Sequence, residues 1–166
     1  MTGKSVISAL TVMFCLAATT AFAAVSMDQA QKIALADAKV PSANFTKTKL
    51  DFGDFGQKYE LKFSAGGYKY EYEILSETGE IVEKSAERIG WKFKQVPAAK
   101  SITPAQAQEI AFKHAGKRTE AVGYELDREG VISVYEIKFF AGGWEYEYDI
   151  NVAGGEICKY SWERKQ

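Results

Sequence analysis

The sequence predicts an α+β protein of two tandem repeats, each with one helix packed on an antiparallel sheet of about four strands. Segment 59–74 recurs at 135–150 with 11 of 16 residues identical, which indicates a duplication. Each copy follows a segment with helical periodicity, and within each copy apolar and polar residues alternate as in half-buried strands. The content of 46% hydrophobic and 26% charged residues is that of a globular chain. We expect the repeats to span 24–96 and 97–166.

Residues 1–23 have the features of a secretory signal peptide. Lys4 precedes an apolar stretch at 6–18, and small residues form an A-x-A site at 21–23. We expect cleavage after this site, a periplasmic or secreted protein, and no membrane span in the mature chain. The alternative is a retained membrane anchor, since 5–27 carries no charge, but the apolar stretch is short for a span of about 20 residues.

Composition excludes several classes of function. Lys and Arg number 21 against 22 Asp and Glu, so the chain lacks the basic footprint of a nucleic-acid-binding protein. One His and two Cys are too few soft ligands for a zinc or haem site. No cluster of nucleophile, base and acid is evident. We therefore predict no catalytic, cofactor-binding or metal-binding residues and no enzymatic activity.

A helix opens each repeat. Ser26 with Gln29, and Thr103 with Gln106, have the spacing of a capping box. Small and branched apolar residues follow at i, i+3, i+4 and i+8, which predicts one apolar stripe on each helix. The stripe residues are Ala30, Ile33, Ala34 and Ala38 in the first repeat, and Ala107, Ile110, Ala111 and Ala115 in the second.

The strands alternate in polarity, and a glycine pair sets how they face each other. Apolar and charged residues alternate in 59–63 and in 68–74, so one face of each strand is apolar and the other is charged. The glycines at 66–67 suit a two-residue hairpin turn, because both accept a positive φ. This turn places Lys62 opposite Glu71, and the same register fits the second copy.

The same reasoning continues the sheet on both sides of this hairpin. A turn at 76–79 leads into another strand, and counting outward from it places Ile74 opposite Val82. A preceding strand is expected at 45–52 in the first repeat and at 121–127 in the second.

The alternation continues at Ile89, Trp91 and Phe93, which we expect to extend the last strand of the first repeat and to point away from its helix. Large apolar groups on an open sheet face often form an interaction patch. Two hypotheses stay open: the aromatic residues form a joint between the repeats, or they contact an external partner. Carboxylates on the same face would add negative charge, although they are also explained as a solvated, partly paired surface. The candidate partner-binding residues are Trp91, Phe93, Glu71, Glu73, Glu147 and Asp149.

The pattern resembles the PepSY domain, once in each repeat. The resemblance rests on A-Q-x-I-A in the helix, Tyr-x-Leu/Ile-x-Phe and Tyr-x-Tyr-x-Ile in the strands, and the turn Thr-Gly-Glu-Ile. The second copy departs from it at Gly154, where the first has Thr78. PepSY domains occur in propeptides of thermolysin-type metallopeptidases and in many exported bacterial proteins. The layout is also similar to that of β-lactamase inhibitor proteins and of PepSY-like periplasmic proteins.

The resemblance implies a noncatalytic binding module with a protein partner, either a peptidase that it inhibits or restrains or a protein whose folding it assists. It implies no cofactor, and the family has no catalytic residues to transfer to this sequence. The alternative is a structural or scaffold protein of the cell envelope without inhibitory activity.

Overall fold

The computed structural model describes residues 24–93 and 101–166. The predicted signal peptide and the predicted boundary between the repeats lie outside the described residues, so both stay predictions. Each repeat has one helix and four strands. The elements are α1 (Met27–Asp37), β1 (Phe45–Gly53), β2 (Gly56–Ala65), β3 (Tyr68–Leu75), β4 (Ile81–Arg88), a short 3-10 helix (Trp91–Phe93), α2 (Pro104–Ala115), β5 (Val122–Glu129), β6 (Ile132–Ala141), β7 (Trp144–Asn151) and β8 (Ile157–Arg164).

All eight strands belong to one antiparallel sheet with the order β1-β2-β3-β4-β8-β7-β6-β5. The expectation of a separate four-stranded sheet in each repeat is therefore wrong. The strands β4 and β8 pair with each other, and Ser85 lies opposite Ser161. These serines are equivalent in the two repeats, so a pseudo-twofold axis passes between them. The pairing has a physical reason: each strand would otherwise leave a row of backbone hydrogen-bonding groups unpaired at an edge.

The capping boxes at the two helix starts are confirmed. The Ser26 hydroxyl accepts a hydrogen bond from the Gln29 amide at 3.2 Å, and the Gln29 side chain accepts from the Ser26 amide at 2.7 Å. Thr103 and Gln106 make the same reciprocal pair. The stripe alanines at the centre of each helix are fully buried against the sheet. Their small side chains let each helix lie close to the large aromatic residues of the strands below.

The hairpin register is also confirmed in both repeats. Lys62 lies opposite Glu71, and Lys138 lies opposite Glu147. The turn glycines of the first hairpin have φ values of 57° and 83°, a region that favours glycine. The apolar face of each hairpin forms a core under its own helix. The largest fully buried side chains on that face are Leu61, Phe63, Tyr72 and Ile74 in the first repeat, and Ile137, Phe139, Tyr148 and Ile150 in the second.

The predicted register of β4 is wrong at its start. Ile74 lies opposite Ile81 and not opposite Val82, because the register shifts between Glu73 and Ile74. Val82 is the extra residue of this bulge, and Ile81 therefore packs against the core under α1 instead of pointing away from it. The second repeat has the same shift, with Cys158 as the extra residue.

The expected strand extension through Trp91 and Phe93 is wrong as well. The strand ends at Arg88, and Gly90 adopts a φ of 72°, which turns the chain into the 3-10 helix. The side chain of Phe93 lies outside the described residues. Trp91 is only 4% exposed, so it is not an exposed anchor on an open face.

Trp91 instead joins the first repeat to the second. It packs with Ile132, Val134 and Cys158, which all belong to the second repeat, and its indole donates a hydrogen bond to Glu87 at 3.1 Å. Val134 alternates with Tyr135 of the helix-side core, so this small cluster lies on the face of the sheet away from the helices.

We predict that Trp91→Ala lowers the free energy of unfolding by about 3–5 kcal/mol, as other deletions of large buried aromatic side chains do. Chemical denaturation followed by circular dichroism measures this change. Lys92→Ala is the matched control, because it removes a surface ion pair with Glu129 and should cost less than about 1 kcal/mol. Equal losses for the two variants would show that Trp91 does not join the repeats.

Candidate functional site

The face of the sheet away from the helices carries the four carboxylates that the sequence analysis selected. Glu71 bonds the Lys62 ammonium at 2.7 Å, and Glu147 bonds Lys138 at 2.7 Å. Glu73 is paired with Lys58. These three carboxylates are therefore each paired with a lysine of the neighbouring strand, although Lys138 is shared between Glu147 and Glu145.

Asp149 differs from the other three. It is partly buried, and this burial raises its pKa to about 6, although the Lys159 ammonium counteracts the shift.

Nearby, carboxylate oxygens of Asp127, Glu129 and Glu136 lie within 4.8 Å of one another. Exposed acidic groups at this spacing are common without a metal ion, and the Lys92 ammonium already lies 2.5 Å from Glu129.

A groove lies on the opposite face, the one that carries the helices. It runs over β4 and β8, between the C-terminal ends of α1 and α2, and has a volume of about 620 Å³. We call it the inter-repeat groove. Its lining is mainly aromatic and charged: Tyr68, Tyr70, Tyr160, Trp162, Asp37, Lys39, Lys84 and His114, with Ala38, Ala86 and Ile157.

A chain of polar contacts crosses the groove from the first repeat. The Tyr72 hydroxyl donates a hydrogen bond to Asp37 at 2.8 Å. The Lys84 ammonium donates to the same carboxylate at 2.8 Å and lies 3.9 Å from the centre of the Trp162 ring. This distance is within the range of a cation–π contact, and it links the two repeats.

The chain of contacts continues into the second repeat. The Trp162 indole donates to the Tyr148 hydroxyl at 2.8 Å, and this hydroxyl lies 3.1 Å from Nδ1 of His114. In neutral His114 with its proton on Nε2, the Tyr148 hydroxyl donates to Nδ1. Partial burial, with the Lys84 and Lys39 ammonium groups, lowers the pKa of His114 and so favours this neutral form.

The two repeats differ where they line the groove. Tyr72 and Tyr148 are equivalent and identical, and each bonds the residue near the C-terminal end of its own helix. That residue is Asp37 in the first repeat and His114 in the second. The next strand differs too: it carries Lys84 and Ala86 in the first repeat, and Tyr160 and Trp162 in the second.

Sequence reasoning missed this groove, although a signal for it was present. The signal is a difference between the two repeats at equivalent positions on the apolar face. Asp37 in the first repeat corresponds to His114 in the second, and Lys84 corresponds to Tyr160. The search for identical positions selects the core instead. The groove residues also lie far apart in the sequence, so no local motif brings them together.

The groove is suited to holding a ligand by aromatic contact and hydrogen bonds. Burial raises the pKa of Tyr160, so its hydroxyl stays protonated at neutral pH. In the described residues that line the groove, His114 has no serine, threonine or cysteine beside it. A depression of about 540 Å³ at the end of α2 is lined by that helix and the following turn alone, so it lacks the convergence of elements seen in the groove.

A comparison with protein families identifies both repeats. The model of the PepSY family, described as "Peptidase propeptide and YPEB domain", matches residues 24–84 and 101–160. The chain belongs to the PepSY family. Its two matches end at Lys84 and Tyr160, which are equivalent residues in the PepSY repeats and lie on the two sides of the groove.

A search of curated proteins found no match. Among solved structures, a Clostridium difficile 630 protein described provisionally as a lipoprotein is 20% identical and has a TM-score of 0.36. The alignment covers 84% of this chain and 93% of that one. Among the described residues of the PepSY protein, no helix has the length and hydropathy needed to span a bilayer.

We predict that Asp149→Asn raises the free energy of unfolding at neutral pH by about 1–3 kcal/mol, since one pKa unit corresponds to about 1.4 kcal/mol. The pKa of Asp149 is higher in the folded state than its ordinary value of 3.8. The protonated carboxyl of Asp149 therefore stabilises the folded state fully below pH 3.8, and this stabilisation is lost as the pH rises through about 6. Urea unfolding of both proteins on the two sides of this window measures the difference.

Glu147→Gln is the matched control for Asp149→Asn. Lys138 lowers the pKa of Glu147, so removing its charge should not stabilise the protein at neutral pH. A gain from Asp149→Asn that is the same at acidic and neutral pH would contradict the assignment, because it would not arise from ionisation.

Proposed function

We propose that this protein is a noncatalytic exported module that binds and restrains a peptidase, and that the inter-repeat groove contacts the partner. The predicted signal peptide supports a periplasmic or secreted location. The observation that carries the proposal is the groove itself, where residues from both repeats meet and the duplicated unit has diverged.

The groove has the properties of a protein-binding surface. Tyrosine, tryptophan and arginine are enriched among the residues that dominate binding energy at protein interfaces. Tyr68 and Tyr70 are half-buried at one side, and Tyr160 and Trp162 form the other. Their rings are held by strands of a continuous sheet, so binding a partner would cost little conformational entropy.

The peptidase is supported by family membership. The family description names peptidase propeptides, and a propeptide is a segment that accompanies a peptidase. A module that only holds its partner needs no nucleophile or general base, which agrees with a groove in which His114 is occupied by a tyrosine hydroxyl.

The carboxylates that the sequence analysis selected are a second contact region in this proposal. Glu71, Glu73 and Glu147 are each paired with a lysine, so they would steer the encounter and its register more than they would add affinity. Trp91 would contribute to this region only by packing under it, since its side chain is buried and does not reach the surface.

The proposal predicts that the exported protein inhibits a thermolysin-type metallopeptidase and that Tyr68→Ala weakens this inhibition about tenfold or more. Progress curves with a fluorogenic peptide substrate give the inhibition constant. Trp144→Ala is the matched control, because Trp144 is the equivalent residue in the second repeat and lies outside the lining of the groove. Thermal unfolding of both variants checks that each is folded.

Two outcomes would contradict the proposal in different ways. Wild-type protein that neither inhibits nor binds the peptidase would favour the alternative, a structural or scaffold protein of the envelope. If inhibition is lost in Trp144→Ala but kept in Tyr68→Ala, the protein is still a peptidase inhibitor, but its contact surface is not the inter-repeat groove.

A further inference from the structure

The two ends of the eight-stranded sheet carry opposite charge. Strand β1 pairs with β2 alone and β5 with β6 alone within the described part of the chain. Each therefore presents a row of backbone amides and carbonyls on its outer side, which is a template for pairing with another strand.

The β5 edge is acidic on one face and apolar on the other. Glu125 and Asp127 lie on the face away from the helices and have no ion-pair partner among the described residues. Glu125 also lies opposite Glu136 of β6. On the helix side, Tyr124 and Leu126 are 57% and 61% exposed, because α2 does not extend over this strand.

The β1 edge has the complementary pattern. Lys47 and Lys49 lie on the face away from the helices, opposite Lys62 and Glu60 of β2. On the helix side, Leu50 and Phe52 are 45% and 76% exposed. Asp51 lies on the same face as the two lysines, so this face of the edge is net basic where β5 is acidic, and the other face is apolar where β5 is apolar.

We propose that β1 of one copy of this protein pairs with β5 of a second copy, and that the sheet continues through the contact. In the antiparallel register that places Lys49 opposite Glu125, Lys47 lies opposite Asp127 and Leu50 lies opposite Tyr124. Opposite charges and apolar groups facing each other across two strands both stabilise the pair.

Other registers and pairings fit less well. A shift of two residues still places Lys49 opposite Asp127, but it brings the carboxylates of Asp51 and Glu125 together. Pairing β5 with a second β5 collects the acidic residues of both copies at one edge. Pairing β1 with a second β1 leaves Glu125 and Asp127 without any cation.

The present partners of the two lysines do not prevent this contact. Lys47 is paired with Glu60 at 2.6 Å and Lys49 with Asp51 at 2.6 Å. Both lysine side chains are on the surface, where an ion pair contributes little free energy. Glu60 would keep Lys62, whose ammonium lies at 3.7 Å, as a partner.

The geometry determines the kind of assembly. A contact between two different edges is heterologous, so it forms chains unless the rotation closes them into a ring. The contact involves one strand from each copy, so it is small and weak. We expect an average mass that rises with protein concentration and falls as salt is added.

Two double variants test this proposal on the exported protein. In Lys47→Glu with Lys49→Glu both edges are acidic, and in Glu125→Lys with Asp127→Lys both are basic. Sedimentation velocity at low salt should show association of the wild type at high protein concentration and at least about tenfold weaker association of each variant alone. An equimolar mixture of the variants should associate again, because each acidic edge then meets a basic one.

The mixture separates this contact from other modes of association. Wild type that stays monomeric up to millimolar concentration would overturn the proposal. So would association that Glu125→Lys with Asp127→Lys leaves unchanged, since that result places the contact away from β5. A mixture that stays as weak as its components would show that charge complementarity between the edges does not drive pairing. None of these results bears on peptidase inhibition, which is measured separately in dilute protein.

Discussion

The pairing of β4 with β8 is the constraint on which the rest of the structure depends. Each repeat alone would leave this strand as an open edge, and joining the two edges satisfies both rows of backbone groups at once. Because Ser85 lies opposite its own equivalent, Ser161, the contact has pseudo-twofold symmetry. Trp91 strengthens the same junction from the other face by packing against residues of the second repeat.

The inter-repeat groove is a consequence of this junction. Pairing the two central strands places the helices on either side of them, and the strip of sheet between the helix ends stays uncovered. The tyrosines that contact the C-terminal end of each helix, Tyr72 and Tyr148, are identical in the two repeats. The groove residues Lys84 and Trp162 lie opposite each other across the junction, and Trp162 also packs against the core under α2. The groove is asymmetric because the position of Lys84 in the first repeat is occupied by Tyr160 in the second.

Much of the fold could be predicted from the sequence because its signals are local. Capping residues, the period of two and the glycine pair define the helices and the hairpins, and the internal repeat confirms each element by a second example.

The bulge at Val82 could not be predicted, because one extra residue leaves the polarity pattern plausible on both sides. The β4–β8 pairing and the groove also could not be predicted, since they bring together residues such as Asp37 and Trp162 that share no motif. The candidate acidic residues lie on the face away from the helices, as expected, but three of them, Glu71, Glu73 and Glu147, are already paired with a lysine, which the sequence analysis did not resolve residue by residue.

Amide hydrogen exchange in dilute protein tests the continuous sheet most directly. In a strand with a neighbour on both sides, consecutive amides are all hydrogen-bonded, whereas an edge strand protects only alternate ones. The account predicts that consecutive amides of β4 and β8, around Ser85 and Ser161, exchange as slowly as those of β2 and β6. Protection of only alternate amides in β4 and β8, as in β1 and β5, would show two separate four-stranded sheets and would contradict it.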